Sequence, residues 1–413
     1  MNDVIAKLPE MKSGNELISA LSVLPYYDEN IRSQSDAIRL ISLSDIYDIY
    51  IPSTMSTEIY SKLYLALLRS LQKKIGTTAT RQRNENYKAI RQLSHNGIIG
   101  GSNSFTITGI SGIGKSAAIN RSIEIITAHG VIDVKNPHTK IIPCVVVQTP
   151  FDCSVKGLLL EILRKVDEHI GSDYYTKSSK LRVTTDMLIG CVSQVALNHI
   201  GLLIVDEIQN VVNNKHGSSL VALLTQLINN SGISICMVGT PESNIFFEQA
   251  LQLARRSLGL QYGAFEYNQY FYDFCKTLWA YQYVRTKTEI TDAIVQWLYA
   301  HSNGIISVVI SLIHDAQEIA ILNGKEILNI DTLTQAYKKR LSLLHGYIEP
   351  SIPKKSQTTI KKKSLDTTYQ STDKEPVTDN KISIASLIAT AKADGIDIVS
   401  LLQQHIRIEV IRI

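Results

Sequence analysis

Short apolar runs alternate with helical patterns between residues 101 and 268. The runs are FTITG, IIPCVVVQT, GLLIVDE, SICMVGT and QYGAFEY, and several are continuously apolar instead of alternating in polarity. Strands buried on both faces have this pattern, and strands that alternate with helices along a chain form a parallel sheet. We therefore predict an α/β domain at 101–268, with a parallel sheet covered by helices. Such a sheet binds ligands at the carboxyl ends of its strands.

Residues 1–100 are predicted to be an N-terminal helical region that contacts DNA or a partner. Within it, TEIYSKLYLALLRSLQKK has apolar residues at helical spacing, which indicates a helix packed by one face on a core. The basic stretch that follows has two interpretations: a solvated helix face, or a surface for nucleic acid or a partner. The apolar stripe consists of Ile59, Leu63, Ala66, Leu67 and Leu71, and the basic residues are Arg69, Lys73, Lys74, Arg81, Arg83, Lys88 and Arg91.

The pattern is helical throughout 269–347, which predicts a small α-helical lid behind the sheet. Asp331 is the candidate N-cap of its last helix, DTLTQAYKKRLSLL. Beyond Pro350 the composition becomes polar and lysine-rich, so we predict a disordered basic linker at 348–381. The more apolar stretch at 382–413 is predicted to be a short C-terminal interaction module on this flexible tether, because a tethered apolar module can reach a partner.

Composition narrows the class of protein without naming a function. With 44% hydrophobic and 19% charged residues in 413, the chain is typical of a globular protein. Its net charge of +4 is too small to drive nucleic-acid binding alone, so such binding requires a local basic patch. Five scattered cysteines without a C-x-x-C pair argue against a structural zinc site or a disulfide framework, and we expect Cys144 and Cys236 to be small buried residues. We also expect no signal peptide, no membrane contact and a cytoplasmic location.

The sequence GISGIGKS lies between the apolar run FTIT and a helical pattern at 117–127. Glycines allow consecutive backbone N–H groups to converge on a phosphate at the N-terminus of the following helix. In G-x-x-x-x-G-K-S, the lysine reaches the β- and γ-phosphates and the serine hydroxyl ligates Mg²⁺. The alternative is a glycine-rich turn with no ligand, but the strand before the motif and the helix after it favour a phosphate loop. We predict ATP and Mg²⁺ as cofactors and the following nucleotide-binding residues: Gly109, Ser111, Gly112, Ile113, Gly114, Lys115, Ser116 and Ala117.

Two further segments supply candidate chemistry at the same edge of the sheet. The run LLIVDEIQN ends in two acids; Asp206 is placed to hold Mg²⁺, and Glu207 to polarise the attacking water. Thr240 follows the next run and is predicted to sense the γ-phosphate or orient the water, the alternative being a turn residue before a proline. In LARRS, either Arg255 or Arg256 could reach a neighbouring subunit's nucleotide, the alternative being an ordinary surface pair.

These motifs, in this order and followed by a helical lid, resemble those of an AAA+ ATPase. More narrowly, IYIPS followed by an amphipathic helix, NSFTITGISGIGKS, DEIQN and VGTPE are similar to the pattern of the TnsC/TniB regulators of DNA transposition, over roughly residues 45–345. The resemblance implies an AAA+ P-loop NTPase with a lid and a flexible C-terminal tail. By position, it implies that Lys115 and Ser116 hold nucleotide and Mg²⁺, Asp206 and Glu207 form the Walker B pair, Thr240 is the first sensor, and Arg255 or Arg256 is a trans finger.

The resemblance also implies a switch. Members of the family bind ATP, form rings or helical filaments on duplex DNA, receive a target-selecting partner and present the assembly to the transposase. One departure concerns the lid, where many AAA+ proteins have a Gly-x-x-Arg sensor. Here Gly304 is followed by Ile305, Ile306 and Ser307, without an arginine. We therefore expect slow hydrolysis that serves assembly and disassembly.

A sequence-tolerant DNA contact needs side chains and backbone N–H groups aimed at phosphates, without base readout. Two stretches, QTPFDCSVKG and SDYYTKSSKLRV, offer such groups, the alternative being ordinary surface residues. The candidate DNA-binding residues are Thr149, Lys156, Lys177, Lys180 and Arg182.

Three functions remain open at this point. The first is a DNA-bound ATP switch that forms homo-oligomers, recruits transposase through its C-terminal tail, and receives a target-selection protein or an RNA-guided complex. The second is a replication initiator or helicase loader, which would be expected to append a winged-helix DNA reader that the lysine-rich linker and its short apolar end do not resemble. The third is a signalling or defence NTPase that acts through protein contacts and leaves the basic stretches unexplained.

Overall fold

The computed structural model of the chain describes residues 4–74, 77–96, 104–135, 138–180, 183–211, 217–244 and 259–341. The chain divides into two compact units, Met1–Ile352 and Pro353–Ile413, and all described residues belong to the first. The predicted linker and C-terminal interaction module therefore lie outside the described residues. Within the described ranges, no single helix is both long and apolar enough to cross a membrane.

The first unit contains one sheet and helices that surround it. The strands are β1 (Phe105–Gly109), β2 (Ile132–Lys135), β3 (His138–Gln148), β4 (Ile200–Asp206), β5 (Ser234–Gly239) and β6 (Leu260–Tyr262). The described helices are α1 (Gly14–Leu21), α2 (Asp36–Ser42), α3 (Thr54–Lys73), α4 (Thr77–Ile90), α5 (Lys115–Ile126), α6 (Val155–Ile170), α7 (Tyr174–Lys180), α8 (Thr185–His199), α9 (Gly217–Ser231), α10 (Gln269–Ala280), α11 (Asp292–Ser302), α12 (Ile306–Leu322) and α13 (Ile330–Arg340). Short 3-10 turns, such as Leu43–Asp48, connect several of them.

The strand order in the sheet is β2-β3-β4-β5-β1-β6. All pairs are parallel except β2 with β3, which are antiparallel. The five predicted runs correspond to β1 and β3–β6, which confirms the mostly parallel α/β fold; the antiparallel edge strand β2 was not among them. The last predicted run, QYGAFEY, lies too far toward the C-terminus, because β6 comprises only Leu260–Tyr262. β1 lies between β5 and β6, so its carboxyl end faces the loop after β5.

Side chains of the sheet alternate between two hydrophobic cores, as the pleat of a strand requires. One core packs β-strand residues such as Leu203 and Val205 against α6, α8 and α9. The other packs residues such as Leu202 and Ile204 against α1, α3 and α5. All five residues of the predicted stripe on α3 are buried in this second core, which confirms that prediction. Cys144 and Cys236 are likewise buried free thiols.

A third core forms the lid, and it includes part of the N-terminal region. The lid helices α10–α13 enclose residues such as Phe271, Leu298 and Leu312. Leu43 and Ile46, more than 200 positions earlier, are fully buried among them. The N-terminal region therefore contributes to two hydrophobic cores, because its segment around 27–51 packs with the lid whereas α3 packs on the sheet.

A buried arginine fastens the N-terminal segment to the lid. The Arg39 side chain on α2 is 0% exposed and donates two hydrogen bonds of 2.7 Å to the carboxylate of Glu326, in the turn between α12 and α13. It also donates to Asp36 Oδ1 at 2.6 Å and to the carbonyl oxygen of Tyr283 at 2.9 Å. A planar guanidinium suits such bidentate pairing with a carboxylate. These contacts hold three chain segments in one body.

Two local predictions need correction. The N-cap of α13 is Asn329, whose side chain accepts a hydrogen bond from Thr332 N at 3.0 Å; Asp331 lies inside the helix, two residues later. In the basic stretch, Lys74 is neither a solvated residue nor a DNA contact. It is buried and donates to the carbonyl oxygens of Ala196 and Leu197, at 2.6 and 2.8 Å, so it caps the C-terminus of α8. Burial lowers the pKa of Lys74 well below its usual range.

Candidate functional site

The phosphate loop connects β1 to α5 at the carboxyl edge of the sheet. Gly112 and Gly114 have φ values of +83° and +93°, a backbone region that favours glycine. A Cβ at Gly114 would meet no atom within 4 Å, so the loop leaves open space where a phosphate would lie. The helix begins at Lys115, two residues before the predicted start, so the lysine and Ser116 belong to its first turn. The N-terminal N–H groups of α5 therefore surround the loop, as an anion site requires.

Lys115 is held inside the loop. Its Nζ donates to the carbonyl oxygens of Gly109 and Ile110, at 2.6 and 2.9 Å, and the residue is buried. Burial lowers the pKa of Lys115, while the charges of Asp206 and Glu207 act in the opposite direction. Among the residues that the structure describes, no carboxylate lies within hydrogen-bonding distance of the Lys115 ammonium, so a phosphate could compensate its charge.

The two acids predicted for hydrolysis lie at the end of β4. Asp206 is the last strand residue, and its Oδ1 accepts a hydrogen bond of 2.8 Å from the backbone N–H of Glu207. Glu207 has a φ of +57°, so the chain turns sharply at this residue and its side chain is exposed. The side chain of Gln209 donates to the Glu207 carboxylate. The sequence did not indicate this contact.

Thr240 follows β5, one residue beyond its last position. Its backbone N–H donates to Gln209 Oε1 at 3.3 Å, and its hydroxyl donates to the carboxylate of Glu242. Thr240 is partly exposed and faces the same cavity as the acids. The structure therefore brings the phosphate loop, Asp206, Glu207 and Thr240 together, as the sequence predicted from strand ends.

These groups line one cavity of about 530 Å³, whose remaining walls the sequence did not assign. One wall comes from the N-terminal segment, and the other from the lid and the chain leading to it. The only sequence signal for the first wall was IYIPS, which is part of the family resemblance. The additional lining residues include Tyr47, Ile49, Tyr50, Ile51, Met55, Phe265, Tyr270, Ile306, Ser307 and Ile310.

The lid touches the phosphate loop directly. The backbone N–H of Ser307, in the first turn of α12, donates to the carbonyl oxygen of Gly112 at 3.0 Å. A Cβ at Gly112 would lie 2.3 Å from the Ser307 hydroxyl oxygen and 2.9 Å from Ile305 Cγ2. Ser307 stands where the Gly-x-x-Arg pattern has its arginine, so this lid meets the loop through a backbone hydrogen bond and a short side chain.

The residues fit a Mg-nucleotide better than a metal held by protein alone. Among the residues that the structure describes, no three or more His, Cys, Asp or Glu side chains cluster as a metal site. Ser116 and Asp206 both line the cavity and offer hard oxygen ligands. A Mg²⁺ ion usually combines one or two such ligands with phosphate oxygens and water. The loop, the lysine and these two oxygens therefore suit a phosphate-bound Mg²⁺.

The remaining predicted residues differ in where they lie. Lys156 is exposed in the first turn of α6, and Lys177 is exposed but forms an ion pair of 2.8 Å with Asp173. Thr149 is only 3% exposed, so its hydroxyl does not reach the surface that a DNA backbone would touch. Four predictions lie outside the described residues or side chains: Lys180, whose side chain is not described, and Arg182, Arg255 and Arg256.

Comparison with known proteins agrees with the motifs. Residues 100–260 match the family model described as Bacterial TniB protein. This segment contains the phosphate loop and β1–β5, so the predicted resemblance to TniB is confirmed over these residues. A comparison with curated proteins gives no match.

Several solved structures are distantly similar. The ORC1 protein of Aeropyrum pernix in complex with DNA has 13% identity and a TM-score of 0.42, over 64% of this chain and 65% of that one. Drosophila ORC bound to DNA has 12% identity and a TM-score of 0.42, over 97% and 83%. A Walker-type ATPase of Pyrococcus abyssi has 11% identity and a TM-score of 0.35, over 65% and 72%.

Proposed function

We propose that this chain, whose residues 100–260 match the TniB family, is an ATP-dependent regulator of DNA transposition. It binds duplex DNA without strong sequence preference, oligomerises there, and links a target-selection factor to the transposase. The observation that carries the proposal is the single cavity that unites the phosphate loop, two strand-end acids and Thr240 within the matched segment. Transposase recruitment by the C-terminal module is the part of the proposal that rests on the tether alone.

In the proposed hydrolysis, each residue of the site has a separate role. Lys115 exchanges its two backbone carbonyl partners for phosphate oxygens, because an anion compensates its buried charge better than neutral carbonyls do. Ser116 and Asp206 would hold a Mg²⁺ ion, which would supply positive charge to the phosphates. Glu207 accepts the proton of the attacking water, and Thr240 orients that water or the γ-phosphate. Arg255 or Arg256 of a neighbouring subunit supplies positive charge to the transition state, which makes hydrolysis depend on assembly.

The two other walls suit the nucleoside. The N-terminal segment contributes Tyr50 and Ile51 and the lid contributes Ile306 and Ile310, so an apolar and aromatic surface faces the base. In the lid, Ser307 replaces the expected arginine and has no charge to offer the γ-phosphate. This absence of charge supports slow hydrolysis and a long-lived ATP-bound assembly.

Lys156 is the DNA contact that the geometry supports best. It is exposed at the start of α6, directly after a loop fixed to the end of β4 by two hydrogen bonds. Thr149 N donates to Asp206 O at 2.9 Å, and Asn210 Nδ2 donates to Thr149 O at 3.2 Å. A lysine that meets phosphates there reads no bases. Charge reversal, Lys156→Glu, is expected to weaken DNA binding equally on all sequences, whereas Lys325→Glu, on the lid, serves as the matched control.

The test is assembly on DNA. Purified protein is mixed with random-sequence duplex DNA, with ATP, a non-hydrolysable analogue or no nucleotide, and is examined by negative-stain microscopy and sedimentation. Rings or filaments that require nucleotide but no particular sequence support the proposal, and Lys115→Ala should abolish them. Absence of assembly under all conditions contradicts the DNA switch and favours an NTPase that acts on a protein partner.

A further inference from the structure

Gln209 lies between Glu207 and Thr240, the two residues proposed above to act on the attacking water. Its Nε2 donates to Glu207 Oε2, and its Oε1 accepts from the backbone N–H of Thr240 at 3.3 Å. Gln209 also lines the nucleotide cavity. One side chain therefore connects the end of β4 to the end of β5 across the site.

The orientation of this amide follows from the chemistry of its partners. A backbone N–H can only donate a hydrogen bond, so the carbonyl end of Gln209 must face Thr240. An ionised carboxylate can only accept, so the amino end must face Glu207. Because each end has one compatible partner, a flipped amide would lose both hydrogen bonds. The side chain thus has a single orientation that satisfies both neighbours.

The backbone on either side is built to admit this side chain. A Cβ at Gly239 would lie 3.0 Å from Gln209 Oε1 and 2.7 Å from Ile208 Cγ2, so the last residue of β5 must be small for Gln209 to approach. Glu207 adopts its positive φ with its N–H bonded to Asp206 Oδ1 and its carbonyl oxygen accepting from Asn210 N at 3.1 Å. The turn is therefore fixed, and Gln209 determines where the Glu207 carboxylate lies above it.

We propose that Gln209 is a positioning residue for ATP hydrolysis, which holds the Glu207 carboxylate in register with Thr240. The inference rests on the proposed ATPase function and adds a residue to it. By occupying Oε2, Gln209 leaves Oε1 of Glu207 to accept the proton of the attacking water. Because the same amide accepts a hydrogen bond from Thr240 N–H, the Glu207 carboxylate and Thr240 keep a constant separation when the ends of β4 and β5 move.

The test compares steady-state hydrolysis of the full chain, assembled on DNA, with nucleotide binding by a fluorescent ATP analogue. Gln209→Leu removes both hydrogen bonds at similar size. It should lower kcat roughly tenfold to a hundredfold, the effect expected of a misplaced catalytic group, and should change KM and analogue affinity less than about twofold. Gln269→Leu is the matched control, because Gln269 is exposed on α10 and also donates to a carboxylate, that of Asp273.

Two further variants separate positioning from folding. If Gln209 acts through Glu207, then Gln209→Leu should have no additional effect on single-turnover hydrolysis in a Glu207→Gln background. Gln209→Glu keeps an acceptor for Thr240 but places a negative charge beside Glu207, so its kcat should be at least as low as that of Gln209→Leu. A wild-type kcat in Gln209→Glu would show that the contact with Glu207 has no role.

The outcomes distinguish this inference from the function on which it rests. Wild-type hydrolysis with an unchanged kcat in Gln209→Leu overturns the inference and leaves the ATPase intact. Additive losses in the double variant, or equal losses of kcat and analogue affinity, indicate a structural role and also overturn it. Analogue binding without hydrolysis by the wild-type protein on DNA contradicts the proposed hydrolysis itself.

Discussion

The buried Arg39 provides a direct test of how the N-terminal segment is held to the lid. Arg39→Met removes the guanidinium but retains an apolar stem of similar length in the 0%-exposed site. Glu326 then loses the two hydrogen bonds that Arg39 donates, and Tyr283 O loses its donor. Arg285 remains near, with its Nε 3.5 Å from the Glu326 carboxylate, so the carboxylate is not left without any cation.

The magnitude follows from burial. Removing one partner of a buried ion pair costs about 3–5 kcal/mol. Glu326 is 18% exposed and retains Arg285, so we expect the lower end, about 3 kcal/mol. Arg39 belongs to the unit Met1–Ile352. With an unfolding entropy of about 2.1 cal/mol/K per residue, a loss of about 3 kcal/mol lowers the Tm of a unit of this size by roughly 4 °C. Since the segment also forms one wall of the cavity, ATP affinity should fall as well.

The assay is thermal and urea unfolding, followed by circular dichroism, with Arg340→Met as control. Arg340 also pairs with a lid carboxylate, Glu318, but its side chain is 50% exposed, so its loss should cost below about 1 kcal/mol. Hydrogen bonding to Arg39 holds the pKa of Glu326 below its usual value, so this stabilisation is present above the unfolded pKa and is lost as pH falls through the folded one. A destabilisation equal to that of the control, or one that does not shrink at acid pH, would refute the reasoning.

The remaining predictions concern the lid contact and the thiols. Gly112→Ala and Gly114→Ala both force alanine into positive φ, but only the former meets the lid, so in nucleotide-free protein it should be destabilised by about 1–3 kcal/mol more. Adding Ser307→Ala should recover part of that difference in thermal unfolding, and no recovery would indicate that the lid does not rest on the loop. Burial raises the pKa of Cys144 to about 12, so folded protein at pH 8 should be alkylated at the partly exposed Cys191 well before Cys144, as peptide mass spectrometry would show.

The sheet and the chemical half of the site could be predicted because their signals are local. A strand buried on both faces must be continuously apolar, and the acids at strand ends must meet at one edge of a parallel sheet. The N-terminal and lid walls of the cavity have no such signal, because Ile49 and Ile310 come together only through tertiary packing. The same holds for Lys74, whose partners lie 122 and 123 positions away, so its sequence neighbours gave no indication that it caps α8.

Short-range rules also failed where two candidates compete. Asn329 and Asp331 are both good N-caps, and the choice depends on where the backbone leaves the preceding turn. Thr149 follows a strand and is polar, yet the turn that binds its backbone to Asp206 also buries its hydroxyl. The contacts of Gln209 with Glu207 and Thr240 could not be predicted, because they depend on the distance between the ends of β4 and β5 in the folded sheet.

The shared core of the lid and the N-terminal segment has a consequence for the order of events during synthesis. The ribosome releases residues 27–51 early, but their apolar partners between 269 and 341 emerge only after the whole sheet domain has been made. Contacts so distant in sequence form late, because a long loop must close first. Leu43 and Ile46 therefore lack their apolar partners while the chain is being synthesised. The cavity is completed only after α12 has been made and has packed. A truncated or stalled product that ends before the lid would contain the phosphate loop but not the complete cavity, so only a chain synthesised through the lid could bind a ligand with all of the walls described.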